Sequence, residues 1–152
     1  MPVRRLELRD VEAVIALQSA CPEAAQWRAS DYERAARGEM ACWVAESEAG
    51  IAGFLVAQRL VQENEVLNLA VRTDARRRGI GAQLLEQAID WSRRCGAEKL
   101  ILEVRASNLV ALRFYERHGF DVVGRRPHYY VDPVEEALLL SIGITGGSVA
   151  SR

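Results

Sequence analysis

The 152-residue chain contains no apolar run long enough to cross a bilayer. Its most hydrophobic stretch, "ALLLSIGI" at 137–144, is far short of the roughly 20 residues that a spanning helix needs. The N-terminus, "MPVRRLELRD", is charged at once and lacks the apolar centre of an export signal, so neither export nor anchoring is expected. Cysteine is scarce: Cys21, Cys42 and Cys95 are widely spaced and form no C-x-x-C. That argues against a disulfide framework and a zinc site, and fits a reducing, cytoplasmic setting. The two histidines, His118 and His128, are too few and too far apart for a metal centre. Charge of one sign is lacking as well. The 20 Lys plus Arg against 21 Asp plus Glu give a net charge of -1, which argues against a generally basic nucleic-acid binder and leaves nucleic acid as the last reading. There is no internal repeat.

What is present is ordinary globular composition, 49% hydrophobic and 27% charged. The length suits one domain over residues 1–144, followed by a disordered tail, "TGGSVASR", at 145–152. Val3 to Leu6 reads as a strand. Asp10 is placed to cap a helix with Val11, Val14, Ile15 and Gln18 on one face. Ser30 and Glu33 have capping-box spacing for a second helix that Gly38 can close. Ala41 to Glu46 and Ile51 to Leu60 form a hairpin about "SEAG", and Glu65 to Val71 follows the polar turn "QENE". From Gly79 the period becomes helical, through Ile80, Leu84, Leu85, Ala88, Ile89 and Cys95, ending near Gly96. Lys99 to Arg105 is a strand, and Asn108 can cap a helix through Leu112 and Tyr115 that stops at Gly119. "FDVVGRR" and "EEALLLSI" are two last antiparallel strands. The expected fold is mixed α/β: a largely antiparallel central sheet, flanked by helices, with one right-handed parallel crossover between residues 66 and 105.

One turn asks for an explanation. "RRRGIG" sets Arg76, Arg77 and Arg78 beside Gly79, Ile80 and Gly81 where a helix begins. A helix start offers unpaired N–H groups and the positive end of the dipole, so a phosphate can approach the N–H groups of Arg78 to Ala82. Two phosphate templates can be set aside, because both would need glycine where Leu84 stands. The tripeptide taken alone is as well explained as a solvated turn.

The pattern R-x-x-G-x-G after a strand resembles the acetyl-CoA motif of the GNAT family of N-acetyltransferases. The resemblance runs over roughly residues 3–142, through "VLNLAV", "LEVRASN" and "ALRFYERHGF" in the family's order. It implies acetyl-CoA as cosubstrate, with its pyrophosphate on the turn at 76–82 and its pantetheine against Val71. It further implies Glu103 as base and Tyr115 as general acid toward the coenzyme A sulfur. Read from the residues alone, Glu103 could equally pair with Arg105 on a strand edge, and Tyr115 could be a core aromatic. A backbone N–H of Leu69 or Ala70 is the expected oxyanion donor, with the choice open. Asn108 can reach the cofactor, cap its helix, or do both.

Within the family, Arg126, Tyr129 and Tyr130 match the R-x-x-Y-Y of the branch that acetylates protein N-termini, among them ribosomal-protein alanine. Trp27, Asn68, Tyr129 and Tyr130 are the implied acceptor-side residues. Gln26 precedes Trp27 where that branch has proline, so the loop differs there. The implied activity is direct acetyl transfer to a protein or peptide α-amine. A route through a cysteine is disfavoured, because none of the three is expected to lie beside the base or the cofactor turn. The alternatives are a small-molecule amine or lysine acceptor, or a coenzyme A sensor without turnover.

Overall fold

The computed structural model describes residues 2–131 and 134–144. The expected tail at 145–152 lies outside the described residues. Seven strands and four α-helices follow one another as β1 (Val3–Arg5), α1 (Val11–Ser19), α2 (Ala29–Ala36), β2 (Ala41–Ser47), β3 (Gly50–Arg59), β4 (Glu63–Val71), α3 (Ile80–Arg94), β5 (Lys99–Arg105), α4 (Leu109–Arg117), β6 (Asp121–Val131) and β7 (Val134–Gly143). The strands hydrogen-bond in the order β1-β2-β3-β4-β5-β7-β6. The recorded registers are antiparallel except for β4 with β5, which is parallel over Glu63–Glu65 against Lys99–Ile101. Among the described residues no helix is long and apolar enough to cross a membrane.

The chain forms two compact units, one of the residues up to Leu60 with Val66–Trp91, the other of Val61–Glu65 with the chain from Ser92 onward. In the first, β3 is buried on both faces. One face joins a core of Val11, Val14, Leu17, Tyr32, Phe54 and Val56. On the other, Gly53 admits α3 so closely that a Cβ there would lie 3.1 Å from Ile80 and 3.2 Å from Leu84. In the second unit, Leu100, Leu102 and Val104 of β5 are buried, together with Tyr115, Phe120, Leu138 and Leu140.

Three local expectations need correction. The helix start expected at Ser30 falls at Ala29, because the shorter Asp31 carboxylate accepts the Arg28 N–H at 2.9 Å and closes the turn itself. The polar run "QENE" is not all turn. β4 already includes Glu63, whose side chain is half-buried like that of Glu65, while Asn64 between them turns inward and donates to Ser92 Oγ at 3.0 Å. Asp10 precedes α1, yet its carboxylate does not cap that helix. It accepts the Glu7 N–H at 2.8 Å, closing the 3-10 turn Leu8–Asp10, and takes both Arg4 guanidinium nitrogens at 2.8 and 2.9 Å.

That half-buried pair has a pH signature. The Arg4 hydrogen bond holds the Asp10 carboxyl below its ordinary value. A depressed folded-state pKa contributes stability above the unfolded value near 3.9 and loses it as pH falls through the folded value. Asp10→Asn should therefore be less stable than the native chain at pH 6, with the gap closing below about pH 4. Urea unfolding at both pH values checks this; a gap that stays constant into acid would contradict it.

Candidate functional site

The first hydrogen bond of α3 runs from the Gln83 N–H to the Gly79 carbonyl at 3.0 Å. The N–H groups of Ile80, Gly81 and Ala82 precede it and have no partner within the helix. Gly79 sits at φ 78°, and a Cβ there would meet nothing within 4 Å, so the backbone is bare. Arg77 also lies in the left-handed region, at φ 68°. The side chains of Arg77 and Arg78 have no salt-bridge partner among the described residues. Arg76 differs from its neighbours: Nε donates to the Val71 carbonyl at 3.2 Å and the guanidinium pairs with Glu23 at 3.3 Å. It braces the turn and is not a free charge on its flank.

Burial alternates along β4 without a break, even positions buried and odd positions half-buried from Glu63 to Val71. Backbone groups alternate with the side chains. The Arg72 N–H donates to Ala52 O on β3 at 2.7 Å, so the N–H groups of Val71 and Leu69 face the other edge of β4, while that of Ala70 faces β3. The alternation thus selects Leu69 over Ala70 as a donor on that edge. The Val71 carbonyl is already taken by Arg76 and by the Cys21 Sγ at 3.7 Å. Cys21 therefore does lie beside the turn in space, against the expectation from its place in sequence. It is 2% exposed and its thiol is spent on that carbonyl.

Asn68 is not a free acceptor-side amide either. Oδ1 accepts the Ala25 N–H at 3.0 Å, and Nδ2 donates to the Ala25 carbonyl at 2.9 Å and to the Tyr32 hydroxyl at 3.2 Å. Trp27 is half-buried against Tyr32, their ring centroids 5.4 Å apart. Its backbone is held by Gln18, a residue with no role expected beyond the helix face. The available signal was a glutamine at an apolar-face position of α1.

In the second unit Glu103 lies on the half-buried face of β5 with Ile101 and Arg105. Arg105 does not pair with it; that guanidinium reaches Glu135 at 3.1 Å and stacks 4.0 Å from the Tyr130 ring. The partner of Glu103 is Arg126, Nε to Oε2 at 3.1 Å. The contact is at ion-pair distance, but the N–H is not aligned for a hydrogen bond, and buried Oε2 keeps an unfilled acceptor position. Arg126 also lies 5.5 Å from the Tyr129 ring. Adjacent strand residues normally point to opposite faces, yet Tyr129 and Tyr130 meet edge to face at 5.1 Å. The register slips between Arg126 and Tyr130, with His128 at φ 58°, and such a bulge re-aims side chains.

Tyr115 is buried between Phe114 and Phe120, at 5.1 and 5.4 Å. Burial alone pushes its phenol above the ordinary value, so it is a neutral hydroxyl. Asn108 caps α4, its Oδ1 accepting the Ala111 N–H at 3.2 Å.

The model of the acetyltransferase (GNAT) family matches residues 8–120. The chain belongs to this family. The [ribosomal protein bS18]-alanine N-acetyltransferase of Escherichia coli K12 is 38% identical over 97 residues, covering 62% of this chain and 66% of that protein's length. An N-alpha-acetyltransferase of Sulfurisphaera tokodaii is 31% identical over 153 residues, covering 91% of this chain and 90% of its own. The crystal structure of the Escherichia coli ribosomal-protein-S18-alanine N-acetyltransferase superposes with a TM-score of 0.83 at 29% identity, over 99% of this chain and 96% of that one. The sheet, with its single parallel pair, is the GNAT fold.

The GNAT turn carries a test of its own. Gly79→Val forces a β-branched residue into the left-handed region and should cost about 1–2 kcal/mol or more. Arg77→Gly should cost nothing or stabilise slightly, because it relieves the same strain one step earlier. Urea unfolding of both variants checks this; equal losses would contradict the backbone assignment.

Proposed function

We propose that this chain transfers an acetyl group from acetyl-CoA to a protein N-terminal α-amine, with an N-terminal alanine such as that of a ribosomal protein as the first acceptor to test. The observation that carries the reading is a bare helix N-terminus that follows, after a short connection, a strand whose Leu69 and Val71 N–H groups face away from β3. Acetyl-CoA supplies the acetyl thioester. The N–H groups from Gly79 to Ala82 hold its pyrophosphate, with Arg77 and Arg78 adding charge. The Val71 N–H donates to the pantetheine arm, and the Leu69 N–H donates to the thioester carbonyl oxygen as charge develops there. Asn108 caps α4 and is a further candidate for a cofactor contact.

The acceptor amine must lose a proton. An α-amine, with pKa about 7.7–8.0, is partly neutral near pH 7.5 and needs only a modest base. The Glu103 carboxylate is the base in this reading, taking that proton directly or through one water. Tyr115 donates its phenolic proton to the departing sulfur. A phenol near 10 is a weaker acid than a thiol near 8.5, so the step in water is uphill by about 2 kcal/mol. Burial raises the Tyr115 phenol and would raise a desolvated thiol in the same direction, so the cost stays modest and uphill. Trp27, Tyr129 and Tyr130 are the acceptor-side candidates in this reading. The reading takes residues 1–144 as one catalytic domain acting in the cytoplasm, with no membrane or nucleic-acid partner.

Two versions of one peptide test this, one with a free N-terminal alanine and a blocked lysine, the other with a blocked N-terminus and a free lysine. Coenzyme A thiol release is expected with the first alone. Release with the second alone would move the reading to lysine acceptors, and silence on both would favour a small-molecule acceptor or a sensor. On the accepted peptide, Tyr115→Phe should lower kcat by about 10²-fold or more with little change in KM. Unchanged turnover would remove Tyr115 from the chemistry.

A further inference from the structure

Residues 24–28, between α1 and α2, belong to neither a helix nor a strand, yet two buried side-chain amides pair with their backbone. Asn68 takes both peptide groups of Ala25, accepting its N–H at 3.0 Å and donating to its carbonyl at 2.9 Å. Gln18 does the same for Trp27, accepting the N–H at 3.2 Å and donating to the carbonyl at 2.6 Å. The Tyr32 hydroxyl joins the two amides, donating to Gln18 Oε1 at 2.6 Å and accepting from Asn68 Nδ2 at 3.2 Å. The three side chains are 0–5% exposed. This directional scheme fixes each amide's orientation, since reversing either one would set N–H against N–H. The segment is bound as an extended strand would be, at alternate residues, by side chains in place of a partner strand.

Such an arrangement is costly as plain core. Buried amides and a buried phenol contribute less by area than apolar residues of the same size, and each loses heavily when one partner is removed. Its effect is to fix a loop that its own sequence, "CPEAAQW", would not hold. Gln26 adds a third tie, its amide donating to the carbonyls of Gln18 at 3.1 Å and Ala24 at 3.0 Å.

We propose that Asn68, Tyr32 and Gln18 are positioning residues that hold residues 24–28 as a preformed wall of the acceptor site, so that breaking the clasp weakens acceptor binding and spares the cofactor. The proposal rests on the N-terminal acetyltransferase reading above. Asn64 provides the internal comparison: an asparagine four residues earlier on the same face of β4, equally buried, whose amide holds Ser92 instead of the loop.

The test compares Asn68→Ala, Tyr32→Phe and Asn64→Ala in the full chain. It reads steady-state KM for the alanine peptide and for acetyl-CoA, the melting temperature, and amide hydrogen exchange. Asn68→Ala should raise the peptide KM about tenfold or more, and Tyr32→Phe by less, with the acetyl-CoA KM within about twofold. Asn64→Ala should lower the melting temperature comparably and leave both KM values alone. In the native chain the Ala25 and Trp27 amides should exchange slowly despite lying in a loop, and Asn68→Ala should release Ala25. If Asn68→Ala does not fold, Tyr32→Phe decides alone. A peptide KM that moves no more in the clasp variants than in Asn64→Ala overturns the proposal, as does fast exchange of Ala25 and Trp27 in the native chain. If the native chain acetylates no N-terminal peptide, the acceptor reading fails, and the exchange result decides whether the clasp exists.

Discussion

The alternation along β4 is the constraint on which the rest depends. Its even positions are buried and spent on structure: Asn64 on Ser92, Val66 and Ala70 in the core, Asn68 on the loop at Ala25. Its odd positions are half-buried, and the N–H groups of Leu69 and Val71 point away from β3. Only three residues of β4 enter the parallel register, Glu63–Glu65, so Leu69 and Val71 lie outside it. A strand can offer backbone donors to a ligand only where its ladder is incomplete. Gly53 serves the same end, since its missing side chain lets α3 lie close against the sheet. The bare N–H groups at the start of α3 then follow β4 after a short connection.

Charge is handled differently in the two units. In the first, arginine braces backbone: Arg4 with Asp10 holds the turn before α1, and Arg76 holds the Val71 carbonyl. In the second, arginine spans strands. Arg126 reaches from β6 to Glu103 on β5, and Arg105 links the Tyr130 ring to Glu135. Glu103 is thereby kept beside a cation, with no hydrogen-bond donor recorded for its buried Oε2.

Much of this was legible in the sequence because it rests on short-range signals. The helix from Ile80, closed near Gly96, and the Asn108 cap follow from period and capping chemistry, and β5 falls on the expected residues, Lys99–Arg105. The R-x-x-G-x-G turn carried the family. Polar residues whose partners are distant in sequence carry no local signal of those partners. "QENE" reads locally as a turn because the partner of Asn64 lies 28 positions away, and the pairing of Asn68 with Ala25 spans 43 positions. Cys21 was set apart from the turn because its contact with Val71 spans 50 residues. The choice between Leu69 and Ala70 needed the bond from Arg72 to Ala52, which no local pattern announces.

The central claim is that β4 presents the Leu69 and Val71 N–H groups, and not that of Ala70, to acetyl-CoA. The most direct measurement is a titration of the native protein with acetyl-CoA, following backbone amide resonances by NMR. The account predicts large shifts at Leu69, Val71 and the amides from Gly79 to Ala82, with Ala70 nearly still because its N–H faces β3. Movement of Ala70 with Leu69 unmoved, or a titration that leaves the turn at 79–82 unchanged, would contradict it.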